Sequence, residues 1–428
     1  MNTGTKLQAS LHILVASIAL SLAPSAHAAE ANPPADGPKV SKAVRALHEK
    51  LLTLDTHLDT PANFAIEGWN IQDKHDPLRD GTQIDLPRLI EGGLDGGFWV
   101  IYTPQGPRIA AGIQAARDAA LARLVAIREV LAAHPKQFEL ALKADDAARI
   151  EAQGKRIVFL SIENSYPLEG DLSLLQTFQK LGVRLAGPVH FANNGLADSA
   201  TDPKGPEWHG LSEKGRQFVA EANRLGIVLD ASHASDEVLD QLIQLSKTPV
   251  LLSHSGLKAV YDHPRNIDDD RLKRLAASGG VIQINFLSDY LIASPKIPER
   301  HAALEALRAD AGQKKQTLAQ RKSLIARKAE IDRRWPVPRA SFEDAFAHLL
   351  HAIRVAGIDH VGIGADFDGG GGVRGFEDGR DYPKITARLL AEGYSREDIQ
   401  KVWSGNVLRV LRAAEAHAQG LAASPAAQ

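Results

Sequence analysis

The sequence predicts an α/β fold, a (β/α)8 TIM-like barrel with a helical insertion after the seventh strand. Eight short apolar runs, often β-branched, are spaced along the chain, and most follow a stretch of helical periodicity. Several of the runs begin just after a glycine placed to end the preceding helix, namely Gly154, Gly182, Gly226, Gly279 and Gly357. Strand–helix alternation repeated eight times points to a parallel sheet that closes on itself, although an open doubly wound sheet shows the same alternation.

The predicted strands are Leu51–Asp55, Gly97–Tyr102, Arg156–Ile162, Val183–Val189, Ile227–Ala231, Pro249–Ser253, Val281–Phe286 and His360–Gly364. Each is too short for a helix and too apolar for a surface loop. Amphipathic helices are expected at Ala110–Ala133, Ser212–Leu225, Asp236–Leu245 and Phe342–Val355. Ala303–Arg334 is charged and helix-forming without strand signal, so an inserted helical hairpin of about residues 300–335 is expected there, as a lid or a solvated decoration.

The 428 residues are 44% hydrophobic and 24% charged, an ordinary composition for a globular protein, and the length allows one large domain or two to three smaller ones. With 50 basic and 52 acidic residues the net charge is -2, so no global positive field exists to hold nucleic acid. The absence of cysteine excludes disulfides, thiolate zinc sites, cysteine-ligated iron–sulfur clusters and a cysteine nucleophile. At the amino end Lys6, the apolar run from Leu11 to Ala23 and Ala26-His27-Ala28 read as a signal peptide over residues 1–28. The apolar run is shorter than the ~20 residues needed to span a bilayer. The expectation is an exported chain, periplasmic or secreted, without a membrane anchor after cleavage. A flexible leader is expected over residues 29–40, the barrel over 41–414 and a flexible tail over 415–428.

The ionisable residues sit at one recurring place. His57 and Asp59 follow the first predicted strand as H-x-D, and a period of two sends both side chains from the same face. Glu163 ends the third strand, His190 follows the fourth, His233 the fifth, His254 the sixth and Asp366 the eighth. In a closed barrel all these ends meet at one mouth, where barrel enzymes keep their chemistry. Two Ser-His pairs, Ser232-His233 and Ser253-His254, invite a catalytic-dyad reading, but neighbours on a strand face opposite ways, so neither serine should meet its own histidine. A calcium loop starting at Asp366 is a weaker rival: Asp368, Gly371 and Glu377 fit its spacing, whereas Gly370 and Arg374 do not. Imidazoles and carboxylates without sulfur suit Zn2+ ahead of Mn2+, Co2+ or Fe2+. Five ligands exceed the three protein ligands of one open catalytic zinc, so two ions bridged by Glu163 fit better, sharing a water of lowered pKa.

Eight ordered segments carry a resemblance: Asp55–Pro61, Phe159–Glu163, Leu229–His233, Pro249–Ser255, His263–Asn266, Val281–Asn285, His360–Gly369 and Asn406–Arg409. With them the chain resembles the membrane dipeptidase (renal dipeptidase) family of zinc metallopeptidases, within the amidohydrolase-like barrels, from about Leu51 to Leu411. The resemblance implies that His57 and Asp59 bind one zinc, that His233 and His254 bind the other, and that Glu163 bridges them. It also implies that His190 polarises the substrate carbonyl, Arg265 binds the dipeptide's terminal carboxylate, and Asp366 moves a proton from water to the leaving amine. Leu58 stands where the family carries Asn, Pro188-Val189-His190 replaces Leu-Thr-His, and Leu196 replaces a frequent Trp.

The expected activity is therefore hydrolysis of dipeptides, L-Xaa-D-Xaa included, with a small dipeptide as substrate and two Zn2+ per chain as cofactors. The family is commonly dimeric, which leaves a homodimer open. The alternatives are a barrel amidohydrolase acting on N-acyl amino acids, lactones or phosphoesters, and, more remotely, an exported metal-binding protein without turnover.

Overall fold

A computed structural model describes residues 37–311 and 316–423, all within one compact unit. The predicted signal peptide, residues 29–36 of the leader and residues 424–428 lie outside the described residues. Eight parallel strands build the barrel: β1 Leu54–Leu58, β2 Gly96–Tyr102, β3 Arg156–Glu163, β4 Val183–Ala186, β5 Val228–Leu229, β6 Leu251–Leu257, β7 Val281–Ile284 and β8 Val361–Ile363. Regular pairing runs from β1 to β5 and from β6 to β8. Short strands Phe138–Leu140 and Asn266–Ile267 lie beside β3 and β6.

The two seams between these arcs are closed by single bridges and by side chains. At one, Ala231 N donates to Leu251 O at 2.8 Å; at the other, Asp59 N donates to Phe367 O at 3.0 Å. A buried aspartate staples each seam. Asp55 on β1 accepts from Ala365 N beyond β8 (3.0 Å) and from the Tyr382 hydroxyl (2.6 Å). Asp230, just past β5, accepts from Ser253 N on β6 at 2.9 Å. Where the ladder is short, a carboxylate satisfies backbone N–H groups that would otherwise be buried unpaired.

Helices cover the barrel much as periodicity predicts. Ala110–Ala133 and Asp236–Leu245 have the expected bounds, and Phe342–Ala356 runs one residue further. Glu213–Leu225 begins at its cap Ser212 and ends at Gly226, whose φ of 69° is the left-handed conformation that glycine adopts without strain. The insertion consists of helices Pro298–Ala311 and Leu318–Arg334, which follow β7. Their buried surface is small: Leu307 is the one buried residue of the first, and the second has none. The second helix is pinned to the loop after β1, where Glu67 exchanges backbone hydrogen bonds with Gln316 and Leu318, and Arg321 Nε donates to Asp80 O.

Three expectations need correction. The first strand spans Leu54–Leu58 rather than Leu51–Asp55. Leu51 N closes a turn onto His48 O, while Leu52 N and Thr53 N bond the side chains of Gln400 and Asp95, so apolarity there reflects burial outside the ladder. The tail is not loose from residue 415: helix Asn406–Ala423 continues through it, favoured by alanine's helix propensity and anchored by Glu415 Oε1 accepting from Ala144 N at 2.7 Å. At the other end Gly37 is buried with no room for a side chain beside the Phe342 ring, so the last leader residues pack on the body.

Outside the barrel lies a buried ion cluster. Arg88, on the helix Leu86–Gly92, bonds Asp85 and His75 O and donates from Nε to Asp378 Oδ2 at 3.1 Å, tying this helix to the segment after β8. Arg88→Met leaves buried Asp85 without its counter-charge, while Asp378 keeps Arg380, and should lower unfolding free energy by about 3–5 kcal/mol. Urea denaturation checks this, and a loss below about 1 kcal/mol would contradict it.

Candidate metal centre at the strand ends

Every barrel strand delivers a polar side chain to one mouth. His57 lies on β1 with Asp59 just beyond it, Tyr102 ends β2 and Glu163 ends β3. His190 follows β4, His233 follows β5, His254 lies within β6, Asn285 follows β7 and Asp366 follows β8. Leu58 turns the other way into the core, as the alternation of H-x-D requires. His233 and Asp366 hold left-handed backbone, with φ of 69° and 62°. Such strain of order 1–3 kcal/mol per residue is characteristic of functional sites.

The centre of the arrangement is one carboxylate oxygen. Glu163 Oε1 lies 3.0 Å from His233 Nε2, 3.5 Å from both His57 and His254 Nε2, and 3.6 Å from His190 Nε2. The Nε2 atoms of His233 and His254 are 3.0 Å apart, and His57 Nε2 is 3.3 Å from Asp59 Oδ2. Three sets of donor atoms each lie within 4.8 Å of one another: His57/Glu163/His254, Glu163/His190/His233 and His57/Asp59/Asp366. The structure thus brings together all five residues expected to be ligands, together with His190 and Asp366. All seven are buried.

The electrostatics fit a divalent cation. Burial, with repulsion from Asp59, Asp366 and Asp230, lifts Glu163 to about 8 against the pull of His57. Burial, with Asp59 nearby, lifts Asp366 to about 7 despite His57 and Arg265. Burial opposes charge on His57, yet Glu163, Asp59 and Asp366 hold its pKa up at about 10. His190 is lowered to about 3 and His233 and His254 well below the ordinary value, first by burial and then by neighbouring cations such as Arg265. His233 and His254 are thus neutral, the state that metal binding requires of an imidazole, whereas His57 and Glu163 would give up a proton to a cation. A cation shared by His57, Asp59 and Glu163 would replace the proton that their charges otherwise hold on His57.

Arg265 stands at the edge of this cluster. Its Nη2 donates to His254 O at 3.2 Å, and its guanidinium lies 5.1 Å from the centre of the Tyr290 ring. Its buried Nε has no hydrogen-bond partner among the described residues. Arg265 forms no ion pair with Asp268, three residues on, which caps its own helix and bonds Arg271. The calcium loop is not formed either: Asp368 bonds Thr60 and Gln83 N, and Glu377 faces Arg339.

One expectation fails inside the site. Ser253 does meet its own histidine, with Ser253 Oγ 2.8 Å from His254 Nδ1. The pairing of β6 with β7 shifts register between Leu252 and Ser255, so strict alternation does not hold there. Ser232 behaves as predicted and bonds His254 N rather than its own ring. Sequence reasoning also assigned no role to Tyr102, Asn285 or Phe191. Tyr102 pairs in register with Glu163 and its ring lies 4.8 Å from that of His190. Asn285 Nδ2 is 3.5 Å from Asp366 Oδ2. Tyr102 ends a predicted strand and Asn285 lies one residue before the end of another, which is the signal that could have found them. Phe191 is half exposed against His190, with ring centres 3.8 Å apart, and nothing in its local pattern marks it.

Comparison with known proteins agrees with this geometry. The family model described as membrane dipeptidase (peptidase family M19) matches residues 41–425. Dipeptidase tcpJ of Claviceps purpurea is 32% identical over 354 residues, covering 81% of this chain and 73% of the relative. Dipeptidase verJ of Clonostachys rogersoniana is 30% identical, covering 88% and 87%. Among solved structures, the probable dipeptidase PvdM from Pseudomonas aeruginosa superposes with a TM-score of 0.74 at 30% identity, over 88% of this chain and 98% of its own. A metallopeptidase from Rhodobacter sphaeroides, solved with a phosphinate mimic of the dipeptide L-Ala-D-Ala, gives 0.66 at 26% identity over 85% and 99%. Metal-ligand chemistry at the strand ends of a parallel barrel, matched along nearly its whole length, places this chain in the membrane dipeptidase family of metallopeptidases.

Proposed function

We propose that the protein is an exported, periplasmic binuclear zinc dipeptidase that accepts L-Xaa-D-Xaa substrates. The observation that carries this is the convergence of four imidazole nitrogens on Glu163 Oε1, with Asp59 and Asp366 beside them. His57 and Asp59 would hold one ion, His233 and His254 the other, and Glu163 both. Zinc suits a donor set of imidazole and carboxylate without sulfur. When bound, the two ions supply polarisation of the scissile carbonyl and a lowered pKa for the attacking water.

The chain's own residues then divide the remaining work. Arg265 receives the terminal carboxylate, since its buried Nε awaits an acceptor and a guanidinium matches a carboxylate with paired hydrogen bonds. Neutral His190 donates to the carbonyl oxygen as negative charge develops there. Asp366 takes the proton of the attacking water and returns it to the leaving amine, with Asn285 Nδ2 lying 3.5 Å from its Oδ2. Tolerance of a D-residue at the carboxyl side is supported by the L-Ala-D-Ala mimic bound in the Rhodobacter sphaeroides neighbour. The Ala-x-Ala site before residue 29 supports export, and no described helix is long and apolar enough to cross a membrane.

A substrate panel tests the activity. L-Ala-L-Ala, L-Ala-D-Ala and N-acetyl-D-Ala are offered to the chain lacking residues 1–28, before and after chelation and zinc return. Zinc-dependent cleavage of both dipeptides and not of the acylated amino acid is expected; cleavage of only the acylated compound would instead favour an amidohydrolase. Arg265→Leu should raise KM about 10- to 100-fold for a free dipeptide and far less for its carboxamide, from loss of a charged hydrogen bond. Equal losses for acid and amide would remove Arg265 from carboxylate recognition.

A further inference from the structure

We propose that Asp230 and Ser253 form a relay that fixes the His254 ring as a metal ligand, an inference that rests on the binuclear reading. Asp230 Oδ1 accepts from Ser232 N and Ser253 N, each at 2.9 Å, and Oδ2 accepts from Ser253 Oγ at 2.5 Å. Ser253 has one hydroxyl hydrogen, and the short contact commits it to the carboxylate. Toward His254 Nδ1, 2.8 Å away, the hydroxyl can then only accept. His254 therefore carries its proton on Nδ1, and the Nε2 lone pair faces Glu163 and His233. Ser253, with its hydrogen held by Asp230, is a positioning residue and not a nucleophile.

The two imidazoles assigned to the second ion are thus held unequally. His233 Nδ1 is buried without a hydrogen-bond partner among the described residues, whereas His254 is backed by a carboxylate through a hydroxyl. A carboxylate behind a ligating imidazole sets its tautomer, restricts its rotation and raises its basicity. The hydroxyl between them transmits this at one remove. Asp55 offers an internal contrast: it bonds the backbone N of His57 at 2.9 Å and staples the other seam of the barrel.

The test uses the zinc-loaded full chain and reads the transfer of zinc to a chromogenic chelator. Ser253→Ala should speed release of one ion about 10- to 100-fold and leave the other within about threefold. Ser232→Ala is the control, because Ser232 Oγ accepts from His254 N at 3.1 Å without touching the ring. Equal acceleration in both variants would reduce the cluster to a structural staple, and unchanged release from Ser253→Ala would overturn the relay outright. A second readout is the 1H–15N correlation of histidine side chains. A His254 Nδ1 proton protected from exchange is expected in the wild type and in Ser232→Ala, and lost in Ser253→Ala. Its absence from the wild type would refute the relay even if Ser253→Ala failed to fold. A wild-type chain holding a single zinc would defeat the binuclear reading instead, and the spectrum alone would then judge the relay.

Discussion

Three carboxylates, Asp59, Glu163 and Asp366, are buried within reach of one another at the end of the barrel. Taking even one carboxylate out of water is costly unless a positive charge or several hydrogen-bond donors meet it. Here burial and mutual repulsion lift two of the three well above their ordinary range, and a single histidine is charged in response. Burial keeps His190, His233 and His254 neutral, the state in which an imidazole can offer a lone pair to a cation. Much of the local structure follows from having to hold this charge in place. The left-handed backbone at His233 and Asp366 and the buried Arg265 at the rim are parts of that arrangement.

The barrel supplies position, and its two weak seams supply a second layer of control. Parallel pairing is regular within two arcs, but β5 meets β6 and β8 meets β1 through isolated bridges. Asp230 and Asp55 complete these junctions by accepting backbone hydrogen bonds across them. Each aspartate is also hydrogen-bonded beside a metal-site histidine, so closure of the fold and alignment of the site use the same side chains. The fold and the chemistry are in this respect one problem.

Much of this could be read from the sequence, for a physical reason. Buried parallel strands must be apolar along their length, so a His, Asp or Glu at the carboxyl end stands out against the run before it. That contrast marked His57, Glu163, His233 and Asp366, and glycine caps such as Gly226 marked where helices stop. Signals failed where burial was achieved without a ladder, as at Leu51, and where composition was mistaken for disorder, as in the helical stretch after Glu415. Alternation failed at Ser253 because one register shift brings a serine onto its own histidine, and no local pattern announces such a shift. Tyr102 and Asn285 passed unnoticed because their roles depend on which strand lies beside them.

The central claim is that Glu163 joins two cations at the strand ends, and metal content measures it most directly. Elemental analysis of the purified wild-type chain and of Glu163→Gln, each dialysed against limiting free zinc, gives the count per chain. Two zinc ions in the wild type and one or none in Glu163→Gln is the predicted result. One zinc in a fully active wild type, or two in both chains, would contradict it.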